Sequence, residues 1–231
     1  MQIGSTEWSD LIIGGAATFD IDLDDSHTRR FAIHAAELVK WNQKINITAI
    51  TDPFEIAIKH FLDSLTAARF ISDNATVLDV GTGGGFPGLP LKVLMPSLAI
   101  TLIDASRKKV SFVKHVIRSL KLDNIDAIHI RAEDLAHNPL YLNRFDVIVS
   151  RAVSSLRLFC RLAIPLLSDE GSVIALKGEI VDDELNDLQG RGLVDGGHTK
   201  TVGRQFSVTV EKYNLPFLKS NRSIIIIRRR N

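Results

Sequence analysis

The sequence predicts an α/β fold, a doubly wound and largely parallel sheet behind a helical N-terminal extension, and three observations predict it. From Ala75 onward short β-rich runs alternate with helical ones, a glycine-rich loop directly follows the first of those runs, and charged residues recur just after the later ones. Alternation of this kind implies right-handed crossovers with helices on both faces of the sheet.

Two helices open the chain. Phe31, Ala35, Leu38 and Val39 fall on one face of a helix predicted from Thr28 to Gln43, with Asp25 and Ser26 upstream as caps. A second is predicted from Pro53 to Phe70. There Asp52 caps, Pro53 takes the first helical position, where a missing N–H costs nothing, and Phe54, Ile58, Phe61, Leu62 and Leu65 form the apolar stripe. Five strands follow, over Thr76 to Val80, Ala99 to Ile103, Asp126 to Ile130, Phe145 to Val149 and Ser172 to Leu176. Helices are expected between them near Leu89 to Met95, Ser106 to Leu120 and Ser155 to Leu167. Two last strands, Gln205 to Tyr213 and Ser223 to Arg228, are expected as a hairpin on the sheet edge.

Composition narrows the function classes. A hydrophobic content of 45% permits a full core, so the disordered class is excluded. Lys and Arg number 28 against 27 Asp and Glu, so attraction to nucleic acid has to come from where charge is placed. Cys160 is the only cysteine, which excludes an intramolecular disulfide and any multi-cysteine zinc site and suits a reducing cytosol. Leu11 to Ala17 follows Glu7 and Asp10 rather than basic residues, so it does not read as a secretory signal, and no apolar run approaches the roughly 20 residues of a membrane span. A cytoplasmic protein with no metal centre and no membrane contact is expected.

In an open parallel sheet the ligand sits outside the carboxyl ends of the strands. The first strand runs into Gly81-Thr82-Gly83-Gly84-Gly85-Phe86-Pro87-Gly88, Asp104 ends the second, and Glu133, Arg151 and Lys177 follow the third, fourth and fifth. Glycines permit sharp turns and close approach of a ligand, and a carboxylate at Asp104 suits ribose hydroxyls. Gly83, Gly85 and Gly88 also satisfy the G-x-G-x-x-G spacing of dinucleotide enzymes, so pattern alone leaves a nicotinamide-dependent oxidoreductase open. Pro87 and Pro90, which crowd the following helix, and Asp79, which completes an acidic-x-G-x-G form, lean toward S-adenosylmethionine.

The run from Gly81 to Leu91 resembles the signature of the bacterial glucose-inhibited division protein B family, small-subunit rRNA guanine-N7 methyltransferases. Trp41-Asn42, Asn46-Ile47-Thr48, His60-Phe61-Leu62-Asp63-Ser64-Leu65, Ser150-Arg151-Ala152 and Leu176-Lys177-Gly178 match it in order, and the likeness is good over roughly residues 38 to 178. The resemblance implies a class I S-adenosylmethionine-dependent methyltransferase acting on 16S rRNA or the small ribosomal subunit. It implies residues 1–70 as the extension and 71–231 as one compact Rossmann-like domain. Its cofactor site would include Gly81, Phe86, Ala132, Glu133 and Arg151, and the general logic of the fold adds Gly83, Gly85 and Asp104.

Guanine N7 carries a lone pair and no proton, so methyl transfer to it needs alignment more than a general base. Arg151, His60 and Asn46 are the candidates for that positioning. Asn46 and Thr48 either shape the substrate pocket or fix the turn between the first two helices. His60, Asp63 and Ser64 lie at i, i+3 and i+4, parallel on one helical face, which is not the arrangement of a hydrolytic triad. Cys160, in an apolar helix, reads as core and not as a nucleophile. Lys108, Lys109, Lys177, Arg228 and Arg229, with Lys200, Arg204, Lys219 and Arg230, are candidates for a phosphate-tracking surface, and Phe86 or Trp41 for stacking on the guanine. A monomer is expected. A non-catalytic RNA-binding protein on the same fold is the remaining alternative.

Overall fold

The computed structural model describes residues 1–151, 154–178, 184, 188 and 206–229. Lys200, Arg204, Arg230 and Ala152 lie outside these.

Helix α1 (Thr6–Ala17) begins at Ser5, whose side chain accepts from the Trp8 N–H. This helix is not among those the sequence predicts; its Trp8 and Ile12 are fully buried and the Trp8 indole donates to the Pro53 carbonyl at 3.0 Å. Helix α2 (Asp25–Asn42) opens on a reciprocal cap between Asp24 and His27. The helix expected from Pro53 to Phe70 is one continuous run in four pieces: α3 (Pro53–Glu55), capped by Asp52, a π-helical segment (Ile56–Leu62), α4 (Asp63–Leu65) and a 3-10 turn (Thr66–Phe70). A π segment widens the backbone ring by one residue and is found often at functional sites, and no periodicity rule forecasts it.

The seven-stranded sheet has the order β3-β2-β1-β4-β5-β7-β6, built from β1 (Thr76–Val80), β2 (Ala99–Asp104), β3 (Ile125–His129), β4 (Phe145–Ser150), β5 (Leu167–Lys177), β6 (Phe206–Asn214) and β7 (Asn221–Arg229). The first five are parallel, and β7 pairs antiparallel with β5 and β6, the edge hairpin expected from sequence. Strand order reverses between β1 and β4, so the crevice opens above those two strands. Helices α5 (Gly88–Leu94), α6 (Arg107–Leu120), α7 (Ala132–Ala136) and α8 (Leu156–Ala163) make the crossovers. α8 stops before Pro165 and β5 starts at Leu167, five residues earlier than predicted, because proline removes the N–H that would have continued the helix.

Side chains alternate across the sheet. Val77, Ile100, Leu102, Val147, Val149 and Ile174 share one core with α1, α2, the π segment, α5 and α6. Leu78, Ile103, Ile148, Val173 and Ala175 share the other with α7 and α8. The N-terminal helices thus cover one sheet face and reach its carboxyl edge. No helix among the described residues is long and apolar enough to cross a membrane.

Candidate active site

The glycine loop is folded by backbone need. Gly81, Gly83 and Gly85 have φ of 70°, 58° and 87°, a region that side chains resist. Gly88 opens α5 so close to the sheet that a Cβ there would lie 2.2 Å from Leu102 Cδ2 and 2.8 Å from Asp79 Oδ2. The Gly81 and Thr82 N–H groups donate to the Ile103 carbonyl, and Gly83 N–H donates to Asp104 Oδ2 at 3.0 Å, which ties the loop to the end of β2.

Beneath the loop, Asp79 is fully buried. Its Oδ2 accepts from Thr82 Oγ1 at 2.7 Å and from the Gly88 N–H at 2.9 Å, while Oδ1 has no partner. Burial pushes its carboxyl up to about 6 against the pull of those donors and of Arg151.

A cleft of about 450 Å³ lies above the ends of β1, β4 and β5. The loop residues Gly81 to Gly84 form its floor, and Thr48, Lys59, His60, Asp63, Arg151, Lys177 and Arg222 are among its walls. Arg151, on the residue after β4, donates to the Lys59 carbonyl at 2.9 Å and approaches His60 Nδ1 at 3.2 Å, Asp63 Oδ2 at 3.8 Å and the Phe86 ring at 4.9 Å. It therefore clamps the π segment onto the loop. Phe86 is held between His34 and His60, each stacked on it with centroids 4.6 Å apart. Desolvation pushes His34 down to about 4 and His60 down to about 3, so both imidazoles are neutral at physiological pH. Asp63 accepts from the Tyr213 hydroxyl at 2.8 Å and pairs with Arg222 Nε at 3.4 Å; burial raises its pKa despite those partners.

The sequence-predicted residues divide accordingly. Gly81, Gly83, Phe86, Lys109, Arg151, His60 and Lys177 meet at the cleft, Phe86 with only 3% of its surface exposed. Gly85 lies beneath, its missing Cβ making room for Leu89 and His34. Asp104 borders the loop, its oxygens taking the Gly83 and Ser106 N–H groups. Ala132 lines a small apolar depression with Val80, Ile103 and Phe159, and Glu133 is exposed in the first turn of α7, both on the β3 side.

Several expectations need correction. Phe86 cannot stack on a base, because its faces are already covered, and Trp41 packs on Phe112 and His115 away from the cleft. Asn46 is exposed and does not line the cleft; Asn42 fixes the turn instead, accepting from the Ile47 and Thr48 N–H groups at 2.7 and 3.0 Å and donating to the Thr48 carbonyl. Ser64 is buried and donates back to the His60 carbonyl. Lys108 is exposed on α6 outside the cleft. Arg228 and Arg229 sit at the opposite sheet edge: antiparallel pairing places Ser223 against Lys177 and Arg228 against Ser172, and Arg229 binds Asp169. They do not continue a surface from the cleft. Lys177 faces it but pairs with Glu184. Cys160 is buried and its thiol is pushed up to about 12, an inert group. Sequence reasoning missed Lys59 and Arg222 on the cleft wall and Tyr213 behind it on Asp63; the last two arrive from the hairpin, brought here by the pairing of β7 with β5 and of β6 with β7.

The profile of the family described as rRNA small subunit methyltransferase G, GidB, matches residues 27–215. The chain belongs to the GidB family. Its relatives named ribosomal RNA small subunit methyltransferase G include that of Geobacter metallireducens, 39% identical over 97% of this chain and 98% of the relative, and that of Geobacter sulfurreducens, 41% identical over 92% and 94%. Among solved structures, a SAM-dependent methyltransferase from Aquifex aeolicus superposes with a TM-score of 0.57 at 18% identity, covering 79% of this chain and 97% of that one, which shows the fold.

A GidB-family site has to accept S-adenosylmethionine, and the residues present fit it. The space over Gly83 is open, the nearest atom to a Cβ there being 3.9 Å away. Both Asp104 oxygens retain a lone pair for ribose hydroxyls.

Proposed function

We propose that this chain transfers a methyl group from S-adenosylmethionine to N7 of a guanine in the 16S rRNA of the small ribosomal subunit, as a cytoplasmic monomer. One observation carries the reading: among the described residues the cleft over the positive-φ glycine turn is walled by Lys59, Lys109, Arg151, Lys177 and Arg222, five cations against three carboxylates that pair with them, Glu55 on Lys59, Glu184 on Lys177 and Asp63 on Arg151 and Arg222, although the whole chain has a net charge of only +1. That local excess suits a polyanion, and the relatives' names specify ribosomal RNA.

The cofactor supplies an electrophilic methyl on a sulfonium. Everything else falls to the chain. Gly81, Gly83 and the Phe86 backbone shape the floor with Gly85 turning the loop beneath it, Asp104 takes the ribose, and Ala132 with Glu133 borders the adenine. Arg151 fixes loop against leader so that floor and wall keep one spacing, and Lys109 meets phosphate. No side chain has to remove a proton, consistent with the neutral, fully engaged imidazoles of His34 and His60.

Incubating the protein with labelled cofactor and small ribosomal subunits, followed by mass spectrometry of the RNA, tests this. Label on N7 of a guanine in 16S rRNA supports it. Calorimetry showing tight NADH binding and no S-adenosylhomocysteine binding would favour the oxidoreductase, and cofactor binding without RNA labelling would favour an RNA-binding protein that lacks turnover.

A further inference from the structure

Thr48 stands on the cleft wall, half-buried, on the turn braced by Asn42. Its hydrogen bonds can be counted without ambiguity. Arginine only donates, so the 3.2 Å contact from Arg151 makes His60 Nδ1 an acceptor. Burial and the neighbouring positive charges keep that imidazole neutral, with its pKa down to about 3, so its one proton is on Nε2. Nε2 lies 2.9 Å from Thr48 Oγ1 and donates to it. The Ile50 N–H donates to the same oxygen at 3.0 Å. A hydroxyl has two lone pairs and one proton. Both lone pairs are taken, and among the described residues nothing accepts the proton.

The line from Arg151 through His60 therefore turns an ambivalent hydroxyl into an obligate donor at the wall of the cleft. We propose that Thr48 donates to O6 of the target guanine, an inference that rests on the guanine-N7 reading above. O6 is the acceptor beside N7 on the same edge of the base, so a donor there presents the N7 lone pair in one orientation. Adenine carries an amino donor at that position and meets the hydroxyl donor to donor, so the same contact discriminates between the purines. His60 is a positioning residue in this scheme and acts through Thr48.

The test uses Thr48→Val, which keeps the shape and removes the hydroxyl, Thr48→Ser, which keeps the hydroxyl, and His60→Phe, which keeps an aromatic ring against Phe86. Methyl transfer to small ribosomal subunits, S-adenosylhomocysteine affinity and the modified atom are measured for each. Thr48→Val is expected to lower kcat/KM for RNA roughly tenfold, the scale of one hydrogen bond, with S-adenosylhomocysteine affinity unchanged and a modest fall in unfolding temperature, because the His60 Nε2–H and Ile50 N–H lose their acceptor. Thr48→Ser recovers most of the rate. His60→Phe loses a similar factor, and Thr48→Val/His60→Phe loses no more than the larger single loss, because the two groups act as a unit. Wild-type rates in Thr48→Val overturn the proposal, as does a loss that appears in S-adenosylhomocysteine affinity, which would put the hydroxyl on the cofactor. If the wild-type enzyme places its methyl on another atom, the guanine-N7 reading fails and this inference with it. N7 product with a fully active Thr48→Val removes this inference alone.

Discussion

Asp79 offers a direct measurement of what the fold does to one charge. Burial raises its carboxyl from 3.8 to about 6. Two units at about 1.36 kcal/mol each make roughly 3 kcal/mol of differential stability. Because the folded-state pKa is the higher one, the folded protein binds the proton more tightly. The contribution is complete below about pH 4 and is lost as pH rises through about 6. Asp79→Asn cannot titrate. Its amide oxygen can accept from Thr82 and Gly88, and its NH₂ group meets the site where Oδ1 had no partner, a cost that does not change with pH. Urea unfolding of both proteins from about pH 4 to about pH 7, without cofactor, isolates the residue, since Asp63, Glu37 and Asp146 titrate equally in both and cancel on subtraction. The free-energy difference, wild type minus variant, should fall by roughly 2.4 kcal/mol over that interval, the part of the full shift that lies between those pH values. A difference that stays flat within about 1 kcal/mol would show that Asp79 titrates normally and that the orphan oxygen is solvated.

Arg151→Met removes the clamp between Lys59, His60, Asp63 and Phe86 and leaves Asp63, among the described residues, with Arg222 as its ion-pair partner; a loss of about 3–5 kcal/mol, a drop of roughly 6–20 °C in melting temperature, is expected by calorimetry. Gly88→Ala drives a Cβ into Leu102 and Asp79 and should cost about 1–3 kcal/mol by denaturant unfolding. Lys109→Gln should weaken RNA binding and flatten the log–log salt slope by about 0.7–0.9, whereas Arg229→Gln, at the far edge of the sheet, should leave the slope unchanged; filter binding at several salt concentrations separates them.

What the sequence alone determined was what short-range pattern encodes. Alternation of β-rich and helical runs located the parallel strands within a few residues, because side-chain period and turn residues are local properties. The glycine spacing placed the loop, and Asp104 and Arg151 followed from the rule that ligands gather at strand carboxyl ends. Tertiary structure decided the rest. Arg228 and Arg229 were turned from the cleft by the antiparallel register of β7, and the same register delivered Arg222 and Tyr213 to Asp63, pairings between residues about 150 positions apart that no local pattern specifies. Phe86 lost its stacking role because His34 and His60, from two different helices, cover its faces. The π segment that presents His60 to one wall, with Asp63 at the start of α4 directly after it, depends on packing against α1, α2 and the loop, and the protonation of His60 on burial beside Arg151. Periodicity reports which face of an element is apolar; which partner that face meets, and at what register, is settled only when the chain closes on itself.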